Sequence, residues 1–488
     1  MMTMHNDENA LKLAAAAWMA GSTLREQRRR LKRYTYGDQW SDPVRLPSGL
    51  TVSEGEAAGN GGERPMTNNL IRQLVKSVVG LYRRDFCQND CGTDAATARR
   101  NSLREMDARM LEEFLISGCA VQRVVAEKRI DGEGVWVDNV SPERFFVNRN
   151  LDPRGADIEV AGMIHEMSLR ELTVRLGRHD TARRRAIERI YLNPDINRAG
   201  RSDTGYSSEA IEEMMRPSSP GRCRAVELWT LETRSITRCY DPESGSAFAV
   251  DPEEEAKLRR INRRRKSHRT ATKPDNTHRP ISWKRCDTLR WHCRWIAPDG
   301  TVMAEYDSPW PHGRHPFAIK MYPLTDGEIH SFVEDVVDQQ RIINRMITLM
   351  EKIMSVSAKG VLLFPTDRLP SDLSWADLAD LWSRPGAIVP FKPSERSSEP
   401  RQLTTSGDCG AHQMLQIQTS MLEQISGVNS SLQGRDTTGN TSAALYDART
   451  RNATTALIDL IEAFATFVDS RNRLIDGIQS ETRTETYA

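Results

Sequence analysis

The stretch Gly327–Ala358, GEIHSFVEDVVDQQRIINRMITLMEKIMSVSA, decides most of the fold prediction. Its apolar residues recur every three or four positions on one face, which predicts a single helix of about eight turns. These residues are Phe332, Val333, Val336, Val337, Ile343, Met346, Ile347, Met350, Ile353 and Met354. Because the average globular helix has only about three turns, we expect this helix to be a principal structural element.

A second helix is predicted before it, over residues 251–270. Asp251 as N-cap, Pro252 at the first helical position and the acidic run that follows are typical of a helix start. Arg263–Lys266 places positive charge near the other end, where it is favourable with the helix dipole. Few apolar residues are available for burial, so we expect this helix to pack narrowly against neighbours, in its own chain or in other copies.

The region from Lys257 to Arg294 is strongly basic. It contains 14 Lys and Arg residues against two Asp, so its charge is about +12 within a chain whose net charge is +1. Such an asymmetry requires an acidic partner or a solvent-exposed rim.

Three tryptophans lie in the segment Ile281–Glu305, which overlaps the end of this region and is predicted as a β-hairpin around Pro298-Asp299-Gly300. They are Trp283, Trp291 and Trp295. We interpret them as packing residues of a small sheet or subunit contact. Stacking on nucleic-acid bases is the alternative.

The remaining segments mix helical and strand patterns. Residues 11–36 predict one helix, followed by a Gly- and Pro-rich loop. Helices are also predicted near 70–82, 101–118, 375–382, 409–426 and 442–479, and strands near 121–140, 145–147, 225–236, 246–250, 360–364 and 387–390. The predicted fold class is therefore α+β, and not a repeat array or a doubly wound sheet.

Composition excludes several classes of protein. The 488 residues are 28% charged and 38% hydrophobic, and no run approaches the roughly 18 apolar residues of a membrane span. The N-terminus lacks a signal-peptide pattern. The eight cysteines are scattered, which indicates a reducing compartment without disulfides.

Enzymatic motifs are weak throughout the chain. Walker A, Gly-x-Gly-x-x-Gly, His-Glu-x-x-His and Gly-x-Ser-x-Gly patterns do not occur. Asp251, Glu255 and Lys257 could form a metal-dependent nuclease site, but helix capping explains the first two more simply. Cys293 and its neighbours lack the second half of a zinc site. We expect no catalytic residues, no metal and no cofactor.

Four short patterns are spread over nearly the whole chain in a characteristic order. They are Tyr36-Gly37-Asp38-Gln39-Trp40; Thr67-Asn68-Asn69-Leu70-Ile71 through Val78-Val79-Gly80; Asp338-Gln339-Gln340-Arg341 with Asn344; and Ser426-Gly427-Val428 with Leu432-Gln433-Gly434. In this order the sequence resembles the portal proteins of tailed double-stranded DNA bacteriophages.

The resemblance implies a structural protein of the virion. Such proteins form a ring, usually of twelve subunits, at one capsid vertex, and DNA is packaged and ejected through the channel. The implied partners are other copies of the chain, double-stranded DNA without sequence specificity, the terminase large subunit, a head-tail adaptor, the major capsid protein and, as a further candidate, scaffolding protein. Assembly would take place in the host cytoplasm, without a membrane.

The resemblance also implies a division of the chain. Its parts are an N-terminal helix and loop (1–65), a first wing part (66–250), a stem helix (251–270), a clip (271–322), a second stem helix (323–358), a second wing part (359–426), a tunnel loop (427–441) and a C-terminal helix with a short crown (442–488).

Site residues follow from these parts by the same resemblance. The tunnel-loop residues expected to face DNA are Asn429, Ser430, Ser431, Gln433, Arg435, Thr437 and Asn440. The clip residues expected to dock the motor and the adaptor are Arg279, Lys284, Arg285, Arg290 and Arg294. The stem residues are Arg263, Arg264, Arg265, Lys266, Gln339, Gln340, Arg341 and Asn344. Arg435 either meets phosphate or pairs with Asp436.

One alternative from a different functional class stays open. The basic segment 257–294 could belong to a DNA-binding or DNA-processing enzyme. Ring assembly without cleavage favours the portal hypothesis, whereas a monomer that binds DNA with a steep salt dependence favours the alternative.

Overall fold

The computed structural model describes residues 4–58, 65–85, 92–130, 132–177, 180–192, 207–250, 252–271, 279–310, 313–359, 361–383, 388–393, 399–403, 410–428 and 443–486. The chain divides into two units. Unit 1 comprises Met1–Gln27, Tyr82–His330 and Leu460–Ala488, and unit 2 comprises Arg28–Leu81 and Ser331–Asp459.

Helices and strands are interspersed along the described residues. The helices are α1 (Glu8–Ala20), α2 (Ser22–Tyr36), α3 (Glu54–Ala58), α4 (Leu70–Asp85), α5 (Ala95–Arg100), α6 (Leu103–Ser117), α7 (Leu169–Gly177), α8 (Thr181–Leu192), α9 (Ser207–Met215), α10 (Glu255–Ala271), α11 (Phe332–Lys359), α12 (Trp375–Ser383), α13 (Ala411–Ser426) and α14 (Ala443–Thr486). The strands are β1 (His5–Asn6), β2 (Pro43–Arg45), β3 (Thr51–Ser53), β4 (Cys119–Arg129), β5 (Gly132–Asn139), β6 (Phe145–Val147), β7 (Val160–Ser168), β8 (Arg222–Asp241), β9 (Ser246–Val250), β10 (Ser282–Ile296), β11 (Thr301–Asp307), β12 (Phe317–Met321), β13 (Pro323–Thr325), β14 (Glu328–Ile329), β15 (Val361–Leu363) and β16 (Arg401–Leu403). This mixture of helices and antiparallel sheets is consistent with the predicted α+β class.

A seven-stranded antiparallel sheet forms the centre of unit 1. Its order is β1-β11-β10-β8-β7-β6, and β9 pairs with the last residues of β8. β10 pairs with β8 along all of its 15 residues, from Ser282 opposite Tyr240 to Ile296 opposite Val226. This one sheet therefore contains strands from both the predicted wing (66–250) and the predicted clip (271–322). That division stays a prediction, but the two parts share backbone hydrogen bonds.

One face of this sheet is covered by α1 and α9. Leu11, Ala14, Ala15 and Trp18 of α1 lie at helical spacing and are buried in one cluster with Leu228 and other core residues of the sheet. The alanines on this face of α1 are small, so the helix can lie close to the strands.

A smaller sheet in unit 1 has the order β12-β4-β5. Residues 119–125 of β4 are buried without interruption, as expected for a strand covered on both faces. One of them, Arg123, is charged. Its partner is described with the candidate site below.

Unit 2 is built mainly from helices. α11 buries Val333, Val336, Val337 and Ile343, and α13 packs along it. Ser331 and Glu334 form a capping box at the start of α11, with Glu334 N–H to Ser331 Oγ at 3.2 Å and Ser331 N–H to Glu334 Oε2 at 3.4 Å. This cap explains why α11 begins five residues later than the predicted start at Gly327.

Two further predictions of local structure were wrong. The single helix over 11–36 is broken at Gly21, where the backbone N–H turns back to the carbonyl of Trp18 at 3.1 Å and α2 begins at the next residue. The strand predicted at 387–390 is absent from its described residues, and β15 pairs instead with β16.

The predicted helix over 251–270 exists as α10 and finds its apolar partners within the chain. Leu258 is buried with Cys239 of β8 and Ile281, and the half-buried Trp283 of β10 packs against them.

No described helix is both long and apolar enough to cross a membrane.

Candidate functional site

The residues predicted to face DNA in the tunnel loop lie outside the described residues. They are Asn429, Ser430, Ser431, Gln433, Arg435, Thr437 and Asn440. The structure describes the chain up to Val428 and again from Ala443, the first residue of α14. Their role stays a prediction.

A network of side-chain amides in unit 2 contains two of the predicted stem residues. The first, Gln340, is completely buried, and its Oε1 accepts from the backbone N–H groups of Leu70 at 3.0 Å and Ile71 at 3.3 Å. The first N–H groups of a helix have no acceptor within it. Gln340 of α11 therefore caps α4 across 270 positions of sequence.

The second, Asn344, extends the network. Gln340 Nε2 donates to the carbonyl of Asn68 at 2.6 Å and to Asn344 Oδ1 at 3.0 Å. Asn344 Nδ2 donates in turn to Gln39 Oε1 at 2.6 Å. Three of the four sequence patterns quoted above therefore meet in one buried hydrogen-bond network, which explains their shared polar residues.

The neighbouring stem residue Arg341 binds a carboxylate of unit 2. It donates to Glu54 Oε2 at 3.0 Å, and Arg345 donates to Glu54 Oε1 at 2.6 Å. The side chain of Glu54 is 4% exposed, so the two guanidinium groups compensate a buried carboxylate. Gln339 is half-buried, and its Oε1 has no hydrogen-bond partner in the described part of the chain.

The basic residues of α10 differ in their exposure to solvent. Arg265 makes two bonds to Asp241, at 2.7 and 2.8 Å, and an ion pair with Glu243 at 3.0 Å. The hydrogen bonds from Arg265 lower the pKa of Asp241 to about 2. The exposed basic residues predicted for the stem are Arg263, Arg264 and Lys266.

Four of the five predicted clip residues contact other groups of unit 1. The contacts are Arg285 with Glu255 at 2.5 and 3.1 Å, Arg290 with the carbonyl of Ser308 at 2.8 Å, Arg294 with Glu232 at 2.8 Å, and the carbonyl of Arg279 with Arg265 at 3.2 Å. Carboxylates of unit 1 therefore compensate the charges of Arg285 and Arg294, which are part of the positive charge in 257–294.

The fifth clip residue, Lys284, lies directly opposite Arg238 across the β8–β10 pair. Both side chains are exposed, and neither has an ion-pair partner among the described residues. Like charges at directly opposite positions destabilise a sheet. The positions two residues away on the same face of β8, Ile236 and Tyr240, are uncharged. We call the paired segments 233–241 and 282–289 the outer arm.

Sequence reasoning missed a buried ionic cluster around Glu227 of β8. The carboxylate has no exposed surface and accepts two bonds from Arg123 of β4, at 3.0 and 3.2 Å. His165 Nε2 lies 2.6 Å from Glu227 Oε2, and Trp229 Nε1 donates to Oε1 at 3.0 Å. Because β4 belongs to the three-stranded sheet, the cluster joins the two main sheets of unit 1. An ionisable residue inside the apolar run 225–229 is the signal that could have indicated it.

Burial and neighbouring charges together set the protonation states of Glu227 and His165. Burial alone would raise the pKa of Glu227, but the charge of Arg123 and the hydrogen bond from His165 hold it far below its ordinary value. Burial lowers the pKa of His165, so the imidazole is neutral at pH 7 and donates through Nε2.

A cavity of about 420 Å³ opens beside the cluster. Its wall includes Trp229, Trp295, Tyr306 and Trp310. Each charged side chain in the wall already has a partner in unit 1: Arg123 with Glu227, Arg175 with Glu127, Arg183 with the carbonyl of Met303, Glu305 with His292, and Asp307 with Arg234.

The candidate nuclease residues are engaged in structural contacts. Glu255 binds Arg285 and Thr237, Lys257 pairs with Glu254 at 2.5 Å, and Asp251 lies outside the described residues. Within the described ranges, no three His, Cys, Asp or Glu side chains are grouped so as to hold a metal ion. Trp291 and Trp295 are buried, in agreement with a packing role.

Comparison with protein families supports one of the remaining hypotheses. A family model described as phage P22-like portal protein matches residues 95–475, most of the chain. This chain belongs to that family. No curated protein matches the sequence.

The predicted resemblance to phage portal proteins is thereby confirmed. Members of this family are structural, non-enzymatic proteins that form an oligomeric ring in the phage head, at the capsid vertex. The match contains β8, β10, α10, α11 and α13, whereas the patterns at 36–40 and 67–71 precede it. This portal protein therefore couples the matched helix α11 to its earlier segments through the amide network.

We predict that Gln340→Ala destabilises this portal protein by about 3 kcal/mol. The substitution removes the acceptor of the Ile71 N–H group and leaves the Leu70 N–H group only the carbonyl of Asn68 at 3.0 Å. A buried unpaired group costs roughly 1–3 kcal/mol, and truncation of the completely buried Gln340 side chain adds to this loss. The midpoint of urea unfolding measures the loss.

Asp338→Ala is the matched control on the same helix. Its side chain is 84% exposed, so we expect a change within about 0.5 kcal/mol. Equal midpoints for the Gln340→Ala variant and the wild type would show that the network contributes no stability.

We also predict that His165 makes stability depend on pH. Its pKa in the folded state lies below the ordinary value of 6.5, so the unfolded chain binds the proton first. Stability is then present above pH 6.5 and is lost as the pH falls below it. Glu227 adds no pH dependence in this range, because its folded-state pKa is far below 4.5 and its contribution to stability is lost only as the pH falls below 4.5.

The measurement is urea unfolding of wild type and His165→Gln between pH 7.5 and 5.5. The glutamine amide keeps a donor near Glu227 and does not titrate in this range. We expect the free energy of unfolding of the wild type to fall more steeply with decreasing pH. Parallel curves would contradict the assignment.

Proposed function

We propose that this chain is the subunit of the ring-shaped channel through which double-stranded DNA is packaged into and ejected from the phage head. The observation that carries the proposal is the family match over residues 95–475, which includes parts of both units. We further propose about twelve subunits at one unique vertex, with assembly in the host cytoplasm. The channel is passive, and a separate ATPase motor drives the DNA.

The charge of the chain supports a passive conduit. Phosphate attraction grows with each neutralised charge, so a strongly basic channel would retain DNA instead of letting it slide. The net charge is +1, and many arginines of the basic region are paired with carboxylates. The Gly-, Ser- and Thr-rich loop 427–441 would face DNA without reading its sequence.

We propose the parts of the subunit as the resemblance implies them. The wing comprises 66–250 and 359–426, the stem helices 251–270 and 323–358, the clip 271–322, and the C-terminal helix with a short crown 442–488. Because β10 pairs with β8, we assign the whole outer arm to the clip. The clip then also includes residues 233–241, which the division above places in the first wing part.

The outer arm is the surface that we propose for the terminase large subunit and the head-tail adaptor. Arg238 and Lys284 repel each other across the two strands, and an acidic partner surface would relieve this repulsion. The major capsid protein, with scaffolding protein as a further candidate, would contact other surfaces of the ring. DNA processing through 257–294 is the alternative function.

Native mass spectrometry and negative-stain imaging of the purified chain test the proposed function. We expect closed rings of about twelve copies with a central hole, and no cleavage of DNA in Mg²⁺. A chain that stays monomeric under all assembly conditions and binds DNA with a steep salt dependence, or nicks it, would support the alternative.

We predict opposite effects of Lys284→Glu on stability and docking. The substitution places a carboxylate opposite Arg238, so the subunit should gain about 0.2–1 kcal/mol in thermal or urea unfolding. Affinity for the motor or the adaptor, measured by biolayer interferometry with assembled rings, should fall at least about tenfold.

Lys12→Glu changes the charge by the same amount on α1. It should leave docking unchanged, since Lys12 lies outside the outer arm and pairs only loosely with Glu8 at 3.6 Å. Unaltered affinity for both partners in Lys284→Glu would exclude the outer arm as the docking surface.

A further inference from the structure

Helix α13 of unit 2 exposes a stripe of four large apolar side chains. Met414, Ile417, Met421 and Ile425 are each between 44% and 49% exposed. Their spacing of three and four residues places them on one face of the helix, over a length of about 16 Å. Single exposed apolar residues are common, but a contiguous stripe of this kind marks an interaction surface.

The stripe lies beside the face that α13 already uses. Gln418, Leu422 and Ser426 are buried on the inner face, and α13 packs along α11. The stripe is therefore a second apolar surface, which the described part of unit 2 leaves open.

Helix α11 presents an apolar edge of its own. Ile342 and Leu349, seven residues apart on one face, are 37% and 50% exposed, on the side away from the buried Val336 and Ile343. The packed pair of helices thus carries two different exposed apolar edges, one on each helix.

The composition of α13 indicates what covers the stripe. Glu423 is its one acidic residue, it has no Lys or Arg, and its exposed polar positions are Gln, Ser and His412. A helix that binds DNA phosphates or lies on an anionic membrane carries Lys and Arg on its polar face. The buried centres of protein interfaces, in contrast, are depleted in charge. A protein surface is therefore the occupant that the chemistry favours.

We infer that the α13 stripe packs against the α11 edge of a neighbouring copy of this chain. In a closed ring the interfaces are heterologous, so each subunit must present two different complementary surfaces, and the α13 stripe and the α11 edge are two such surfaces. The α11–α13 packing found within one subunit would then continue from copy to copy. This inference rests on the ring of the proposed function and names its contact residues.

The experiment compares assembly of two variants by native mass spectrometry. Ile417→Asp combined with Met421→Asp alters the stripe, and Leu349→Asp alters the edge. We expect each variant to require at least about a 100-fold higher concentration than wild type for ring assembly, with unchanged circular dichroism. Gln416→Asp, at an exposed polar position of the same helix away from the stripe, should assemble as wild type does.

Mixing the two variants gives the sharpest test. Each variant keeps one intact surface, so a heterologous contact predicts mixed dimers that neither variant forms alone, which also shows that both are folded. Rings that persist in both variants would overturn this inference and leave the portal function standing. Assembly of Leu349→Asp alone would overturn it too, because the stripe would then pack against some other surface. Absence of rings in the wild type would overturn the proposed function as well.

Discussion

The buried carboxylate of Glu227 is the constraint on which the arrangement of unit 1 depends. A charge without exposed surface is tolerated only if hydrogen bonds and an opposite charge replace its lost water. Arg123 supplies the charge from the three-stranded sheet, and His165 and Trp229 supply donors from the seven-stranded sheet. The two sheets must therefore lie so that these groups meet. Burial keeps His165 neutral, and Trp229 also lies in the wall of the adjoining cavity.

The arrangement of unit 2 depends on a buried network of uncharged side-chain amides. The amides of Gln340, Asn344 and Gln39 satisfy one another and the free N–H groups at the start of α4. Amide groups of this kind tolerate little displacement, because each lost bond leaves a buried polar group unpaired. A subunit of a ring must hold its helices in one geometry, and such a network provides that rigidity without charge.

The distribution of charge connects these interiors to the portal role. Ion pairs within unit 1 compensate many of the arginines that make the segment 257–294 basic. What remains exposed is local: the Arg238–Lys284 pair on the outer arm and several basic residues of α10. Non-specific affinity for DNA phosphates rises with the number of exposed Lys and Arg side chains. A channel through which DNA slides is therefore expected to expose few of them. The apolar stripe of α13, which is nearly free of charge, suits contact with protein instead.

Sequence alone was sufficient for the elements whose signals are local. The long helix α11, the basic helix α10, the β10–β11 hairpin and the α+β class follow from periodicity and turn residues, and the order of short patterns was enough to identify the family. The break at Gly21 did not follow from the apolar periodicity, which continues across it although the local hydrogen bond to Trp18 ends α1 there. The pairing of β15 with β16 did not follow because it joins segments that are distant in sequence. The partners of Glu227 and Gln340 were likewise out of reach, since they lie 104 and 270 positions away. Only the tertiary structure brings such groups together, because burial and the pairing of polar groups are properties of the packed chain and not of any segment.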